Sequence, residues 1–274
     1  MSQATATTTR RGKQLREQLR RYIPAAIVFV LALLVWEMVV TVFRIETFLL
    51  PKPSRIAAVF VQEAPIAFRA SLFTMRNAVG GFLIGSVLGM LVALATARWT
   101  VISEGMMPLA IAINATPIVA LAPIMNQWFG VLDPLSKMSI VAVMVFFPVM
   151  INMVRGLTLV EGNTLELMRS YAASEIEILS KVRLPNALPF LFGAFKISST
   201  LSIIGAIVSE YFGGLGPQDA LGAYISQQAS DFHFTQAWVA IIVACLAGIL
   251  FYGLILLVER LVMPWHVSLR ATEY

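Results

Sequence analysis

The chain is poor in charge, in cysteine and in histidine. Only 13% of its 274 residues are charged and 58% are hydrophobic, whereas about a quarter of a soluble domain is charged. Cys245 is the only cysteine, so an intramolecular disulfide is excluded. The two histidines, His233 and His266, have no cysteine or carboxylate beside them at zinc-ligand spacing. The composition excludes a soluble globular domain and predicts neither a metal nor a cofactor site.

Motifs for nucleotide hydrolysis are also missing. A phosphate-binding loop needs Gly-x-x-x-x-Gly-Lys followed by Ser or Thr, and the only Gly-Lys pair, Gly12-Lys13, has no upstream glycine. No set of nucleophile, base and orienting residue is recognisable either. The net charge of +5 does not indicate nucleic acid, because the basic residues are not interleaved with aromatic ones. We therefore predict that the chain is not an enzyme.

Long apolar stretches indicate an all-α membrane protein. An α-helix needs about 20 apolar residues to cross the hydrocarbon core of a bilayer, and six stretches approach or exceed this length, at about 23–43, 72–97, 104–125, 136–157, 188–211 and 236–260. We divide the chain into a basic tail (1–22), a transmembrane domain (23–264) and a C-terminal tail (265–274). The positive-inside rule places both tails in the cytoplasm, although the first external loop also carries basic residues.

Small residues recur at helical spacing in the second predicted span. Gly81, Gly85 and Gly89 are four residues apart and therefore lie on one face of a helix. Glycine stripes of this kind let a neighbouring membrane helix approach closely. The stripe predicts tight helix packing.

One polar segment, at about 158–187, interrupts the apolar pattern. Apolar residues recur through it at helical spacing, which predicts one amphipathic helix from about Thr164 to Val182. Pro185 is predicted to stop this helix from continuing. Acids and bases are equally frequent on its polar side, unlike helices that lie on membrane surfaces. We expect the segment to dock on a partner protein. Its predicted apolar stripe consists of Leu165, Met168, Ala172, Ile176 and Leu179.

The register of this segment resembles that of binding-protein-dependent importer permeases. The family pattern is Glu-Ala-Ala, three residues, Gly, nine residues, Ile-x-Leu-Pro; here Glu166-Leu167-Met168 is followed at the same spacing by Ala172 and then by Val182-Arg183-Leu184-Pro185. In the family this loop couples the permease to a cytoplasmic ATPase. Because alanine replaces the glycine, we expect Ala172 and Ala173 to continue the helix or to bend it less. The resemblance implies coupling roles for Glu166, Arg169, Ala172, Ala173, Leu184 and Pro185.

The resemblance covers nearly the whole chain. Leu50-Pro51-Lys52-Pro53-Ser54, Ala115-Thr116-Pro117-Ile118, Trp128-Phe129-Gly130 and Ala206-Ile207-Val208-Ser209-Glu210 are similar to nitrate, sulfonate and taurine permeases. It implies the fold of a type I ABC importer permease in the bacterial inner membrane, with a separate ATPase, a solute-binding protein and a second permease copy as partners. The solute stays open among sulfonates, nitrate and vitamin precursors such as pyrimidines or riboflavin, and a small nitrogen-containing nutrient is favoured.

A translocation pathway needs polar side chains inside the spans. Ser198, Ser202, Gly205 and Ser209 share one face of the fifth span, either to line the pathway or to pack and bond to backbone carbonyls. Glu37, Lys196 and Glu210 are ionisable residues within spans, which are functional candidates by default. The competing interpretation is an autonomous ion-coupled transporter or channel, but it leaves the polar segment unexplained. The pathway residues that we predict are Asn114, Thr116, Asn152, Ser198, Ser202, Ser209 and Glu210.

Overall fold

The computed structural model describes residues 3–98, 117–212 and 220–264, and these ranges contain helices and no strand. One π-helical turn spans Leu179–Arg183. The helices are α1 (Gln3–Val42), α2 (Pro53–Arg98), α3 (Ile118–Phe129), α4 (Pro134–Thr158), α5 (Gly162–Ser170), α6 (Glu175–Ile178), α7 (Leu184–Tyr211), α8 (Leu221–Ser230) and α9 (Phe234–Val262).

Five stretches of the described chain are long and apolar enough to cross a membrane. They are Ile23–Val42, Pro53–Thr96, Pro134–Thr158, Glu175–Tyr211 and Phe234–Val262, and they confirm five of the predicted spans. Most of the predicted span at 104–125 lies outside the described residues, and its last part belongs to the 12-residue α3. The fold class predicted from the apolar pattern is therefore confirmed.

Helix α2 is longer than the predicted second span. The second span was predicted at about 72–97, but α2 runs unbroken for 46 residues from Pro53 and includes Pro65. Ile56, Ala67 and Ala70 are buried against α8 and α9. Apolar packing on both sides of Pro65 thus keeps this part of the chain helical despite the missing backbone donor.

The glycine stripe sets the direction of the central helices. A β-carbon added at Gly81 would lie 2.6 Å from the Met138 carbonyl oxygen, and one added at Gly89 would lie 2.8 Å from that of Phe146. Contacts thus advance along α2 and α4 together, so the two helices run in the same direction. The chain between them must return across the bundle, as a sixth crossing would do. The predicted close packing is confirmed.

Helix α4 lies at the centre of the bundle, between α2 and α7. In an 18-residue apolar window of α4, 56% of the residues are buried, against 6% in such a window of Ile23–Val42. Phe82 of α2 packs edge-on against Phe195 of α7 and Phe251 of α9, with ring centroids 5.4 and 5.2 Å away. We call the end of the bundle where α4 stops and α7 starts the segment end, and the opposite end, where α4 starts and α7 stops, the far end.

Candidate functional site

The polar segment folds as two short helices instead of the single amphipathic helix that we predicted. Helix α6 begins at Ser174, whose side-chain oxygen accepts a hydrogen bond from the Glu177 backbone N–H at 3.3 Å. The Glu177 carboxylate accepts in return from the Ser174 backbone N–H at 2.9 Å. This reciprocal capping box satisfies two backbone donors and defines a helix start. The expectation of a continuous helix over 164–182 is therefore wrong.

The break between α5 and α6 is a Schellman turn centred on Ala172. The Ala173 N–H donates to the Met168 carbonyl at 3.0 Å and the Ala172 N–H donates to the Arg169 carbonyl at 2.9 Å, which is the bonding pattern of that turn. Ala172 has φ 53°, in the left-handed region where glycine is normally found. The expectation that alanine would remove or soften the turn is wrong, because the capped start of α6 and the paired carbonyls outweigh its backbone strain.

We predict that Ala172→Gly stabilises the protein by about 1 kcal/mol, because glycine adopts positive φ without the steric cost paid by a β-carbon. The detergent-solubilised variant should unfold about 2–4 °C above the wild type. Ala173→Gly is the matched control: Ala173 has negative φ, so this change should not raise the unfolding temperature. A lower unfolding temperature for Ala172→Gly would contradict the left-handed turn.

Pro185 does not end the helical path, contrary to our prediction. The backbone N–H of Leu184 donates to the Leu179 carbonyl, five residues back, and the chain stays helical from Glu175 to Tyr211. Proline lacks an N–H and its ring collides with the carbonyl four residues earlier. A π-helical turn just before Pro185 widens the helix and relieves this collision.

The residues predicted for coupling are spread over this segment. None of the residues of α5 is buried. Glu166, Arg169, Ala172 and Pro185 are exposed, whereas Ala173 and Leu184 are half-buried.

Only part of the predicted apolar stripe is exposed. Ala172 and Ile176 are exposed as predicted, whereas Leu165, Met168 and Leu179 are half-buried. In α5, α6 and the turn between them, the large apolar side chains that face outward are Leu167, Tyr171 and Ile176, which are 55, 77 and 78% exposed. The turn at Ala172 is the reason, because it breaks the helical periodicity on which the predicted stripe rests.

Asn186 fastens the base of the polar segment. Its side-chain amide donates to the carbonyls of Gly156 and Leu159 at 2.8 and 3.0 Å, so the start of α7 caps the end of α4. Gly156 lies so close to α7 that an added β-carbon would be 2.6 Å from the Ala187 α-carbon. The segment is therefore anchored to α4 and α7 together. Sequence reasoning missed Asn186, because its partners are carbonyls that no motif marks.

The serines of α7 pack inside the protomer. Ser198, Ser202 and Ser209 are fully buried. The hydroxyl of Ser202 donates to the Ser198 carbonyl at 2.6 Å, and that of Ser209 donates to the Ala206 carbonyl at 2.7 Å. On the same face, Gly205 lies against Met144 of α4. In this conformation the serine face meets α4 and does not border open space.

Of the remaining predicted pathway residues, only some lie in the part of the chain that the structure describes. Asn152 is half-buried. Its side-chain amide donates to the carbonyl of Pro148, four residues earlier in the same helix, at 2.8 Å, and so gives this carbonyl a side-chain donor. Asn114 and Thr116 lie outside the described residues. Glu210 is considered below with its partners.

Two of the three ionisable span residues have simple structural partners. The Glu37 carboxylate accepts from the backbone N–H and the hydroxyl of Ser54 at 3.1 and 2.7 Å and so caps the start of α2. Lys196 pairs with Glu259 of α9 at 3.0 Å, which is 3% exposed. Sequence reasoning missed Glu259 because it lies beside Arg260 at the edge of the last span.

Glu210 is the centre of a buried polar cluster at the far end. It is 4% exposed, and its carboxylate accepts from the Thr74 hydroxyl at 2.8 Å, the Asn77 amide at 3.0 Å and the Gly222 backbone N–H at 3.1 Å. The Leu221 N–H donates to the Thr74 hydroxyl oxygen at 2.9 Å. Glu210 and Thr74 together bind the first two N–H groups of α8, so the end of α7 is joined to α2 and α8.

The family of binding-protein-dependent transport system inner membrane components matches residues 85–264. This range includes the polar segment, the serine face and Glu210. The chain belongs to this family. It is the membrane-spanning permease subunit of an ABC transporter, a class whose ATPase is a separate subunit and which works with a solute-binding protein.

Relatives of the permease extend over nearly its full length. A riboflavin transport permease of Chloroflexus aurantiacus is 30% identical over 97% of this chain and 100% of the relative. A formylaminopyrimidine transport permease of Halalkalibacterium halodurans is 27% identical over 87% and 94%. A taurine permease of Escherichia coli and a nitrate permease of Leptolyngbya laminosa are 26% and 23% identical. These relatives confirm the resemblance to nitrate, sulfonate and taurine permeases.

A solved structure supports the fold independently. The crystal structure of an amino acid ABC transporter with histidines superposes on the permease with a TM-score of 0.59 at 18% identity. The match covers 73% of this chain and 95% of the other. At this identity the likeness concerns the fold, which is that of a type I importer permease.

Proposed function

We propose that the permease imports a small solute and that its ATPase grips the polar segment. The observation that carries this proposal is the exposure of three large apolar side chains, Leu167, Tyr171 and Ile176, among the exposed polar residues of α5, α6 and the turn between them. Apolar side chains rimmed by polar residues are typical of docking surfaces. We name these three residues the coupling surface. Glu166, Arg169, Ala172, Ala173, Leu184 and Pro185 surround or support it.

The polar segment transmits motion because it is anchored at both ends. Asn186 and the close contact at Gly156 hold its base on α4 and α7. A displacement of the coupling surface is therefore delivered to these two helices together. Import then needs two states of the bundle that nucleotide binding stabilises differently.

We infer that the segment end faces the cytoplasm. Six of the basic residues lie in the N-terminal tail, at Arg10, Arg11, Lys13, Arg16, Arg20 and Arg21. With six crossings both tails share that side, as the positive-inside rule favours. The solute-binding protein would then dock at the far end.

We propose that two copies form the translocation pathway between them. The serine face is packed inside the protomer, so a single copy in this conformation offers no path along it. Lipid surrounds the apolar outer face of the pair. Asn114, Thr116, Asn152, Ser198, Ser202 and Ser209 are the proposed pathway residues, to which the serine face contributes when α4 and α7 separate.

The relatives suggest the class of solute. The riboflavin and formylaminopyrimidine permeases share the highest identity with the chain among the relatives described above, at 30 and 27%. We therefore favour a small nitrogen-containing nutrient or vitamin precursor over taurine and nitrate. Hydrolysis of ATP is assigned to the separate subunit, and this chain is proposed to have no enzymatic activity.

Reconstitution tests the function. The solute is first identified by thermal-shift screening of the cognate binding protein, because a ligand that binds only the native state raises its unfolding temperature. Uptake into proteoliposomes is then measured with and without the ATPase. We expect uptake only when ATPase, ATP and binding protein are all present. Uptake that needs no ATPase and follows an ion gradient would instead establish the ion-coupled transporter.

A further inference from the structure

A small polar cavity lies at the far end, where α2, α4, α7 and α8 meet. Its volume is about 40 Å³, and a buried water needs about 10–15 Å³ of such volume. Side chains of both charges line it: the buried Lys137 of α4 and Glu210 of α7, and the exposed Arg76 and Asp133, together with Asn77 of α2. The cavity is therefore large enough for bound water and is lined by groups that can hold it.

Lys137 and Glu210 carry opposite charges, and neither forms a direct ion pair within the described part of the chain. Lys137 is 6% exposed and Glu210 is 4% exposed. The Lys137 ammonium donates to the Asn126 side-chain oxygen at 2.7 Å and to the Val131 carbonyl at 3.0 Å, which leaves its third N–H without a partner among the described residues. A buried charge without a partner is costly, so the two charges are expected to compensate each other across the cavity.

An unpaired acceptor borders the same cavity. The side-chain oxygen of Asn77 is buried and has no hydrogen-bond partner in the described part of the protein, while its amide group donates to Glu210. Buried polar atoms are almost always paired with protein or with ordered water. The free N–H of Lys137 and the free oxygen of Asn77 are thus a donor and an acceptor that one water can join.

We propose that Lys137 and Glu210 form a charge pair, connected through one water and the Asn77 side chain, that latches the far end of the bundle. The pair connects α4 to α7, and through Glu210 to α2 and α8 as well. This inference rests on the proposed function, because α4 and α7 are also the helices anchored to the coupling segment. Motion of that segment that separates α4 from α7 must break the latch, so the far end opens only when the segment moves.

Cysteine labelling tests the latch on the full-length permease in detergent, where the orientation of the protein in a membrane does not matter. The native Cys245, which is exposed, is replaced by serine, and Ala220, which lines the cavity and is 5% exposed, is replaced by cysteine. The labelling rate with a maleimide dye then reports how often the latch opens. Glu210→Gln and Lys137→Met should each raise this rate about tenfold. Lys137→Arg keeps the charge and should stay closer to the starting rate.

The double variant decides whether the two residues act as a pair. If they do, Lys137→Met with Glu210→Gln should label no faster than the faster single variant, since both remove the same interaction. Glu259→Gln is the matched control, because it neutralises a buried carboxylate near the end of α9, away from the cavity, and should leave the rate unchanged. Unchanged rates in both single variants, or effects that multiply to about a hundredfold, would overturn the latch.

Ordered water provides a second readout. A structure that resolves water should show density between the Lys137 ammonium and the Asn77 side-chain oxygen, and a dry cavity there would refute the bridge. The labelling needs no ATPase, so the latch can fail while the ATPase still drives uptake. Conversely, a confirmed latch in a permease that takes up solute without an ATPase would contradict the proposed function alone.

Discussion

Gly85→Leu is expected to prevent the bundle from folding, and Gly85→Ala is expected to lower its stability by about 1–3 kcal/mol. A β-carbon at this position would collide with the Ala142 carbonyl oxygen and would lie 3.0 Å from the Ala142 α-carbon. These are backbone atoms of the central helix, and they cannot move aside as a flexible side chain would. Thermal unfolding of the purified Gly85→Ala variant should therefore begin about 3–10 °C below the wild type.

The matched control is another glycine in a membrane helix. A β-carbon added at Gly253 of α9 would meet nothing within 4 Å, so Gly253→Ala should change stability by no more than about 0.5 kcal/mol. Gly253→Leu should still give folded protein by size-exclusion chromatography. Equal unfolding temperatures for Gly85→Ala and Gly253→Ala would mean that α2 and α4 do not approach each other at the glycine stripe.

Acidic substitutions in the coupling surface should have the largest effect on transport. Tyr171→Asp and Leu167→Asp place a charge where an apolar side chain is proposed to enter the ATPase, and removal of such an anchor costs about 2–4 kcal/mol of binding. The affinity for the ATPase should fall by about 30-fold to 1000-fold. Co-purification of the ATPase and ATP-dependent uptake should both be lost. Because the native side chains are 77 and 55% exposed, the unfolding temperature should not change.

Leu49→Asp is the control for these variants. Leu49 is 67% exposed, but it lies in the connection between α1 and α2, at the far end. This variant should retain the ATPase, even if it weakens the contact with the binding protein. Retention of the ATPase by Tyr171→Asp and Leu167→Asp would show that the motor docks elsewhere, and loss of the ATPase from Leu49→Asp would show that acidic substitutions act indirectly.

Local sequence patterns predicted most of the architecture. The length and apolarity of a span are properties of consecutive residues, so five crossings could be located before any contact was known. The stripe of Gly81, Gly85 and Gly89 likewise predicted a close helix contact, because a period of four residues defines one helical face. The absence of a phosphate-binding loop is also a property of the sequence alone.

The errors concern places where two local preferences compete. Ala172 has a high intrinsic tendency to continue a helix, but the capping box of Ser174 and Glu177 begins a new one immediately afterwards. Pro185 is normally read as a helix end, yet a π-helical turn carries the chain past it. Intrinsic helix propensity contributes little free energy per residue, so capping and packing override it. The relative strengths of these contributions cannot be read from the sequence.

The amino-acid sequence by itself determined that this protein crosses a membrane and that it belongs among importer permeases, and it predicted which segment docks on the ATPase. Only the tertiary structure decided the partners of its buried charges: Lys196 pairs with Glu259, 63 residues away, and Glu210 binds Thr74, 136 residues away. Periodicity and spacing describe one helix at a time, whereas these bonds depend on how separate helices are packed. The latch at Lys137 and Glu210 therefore becomes visible only when α2, α4, α7 and α8 are brought together.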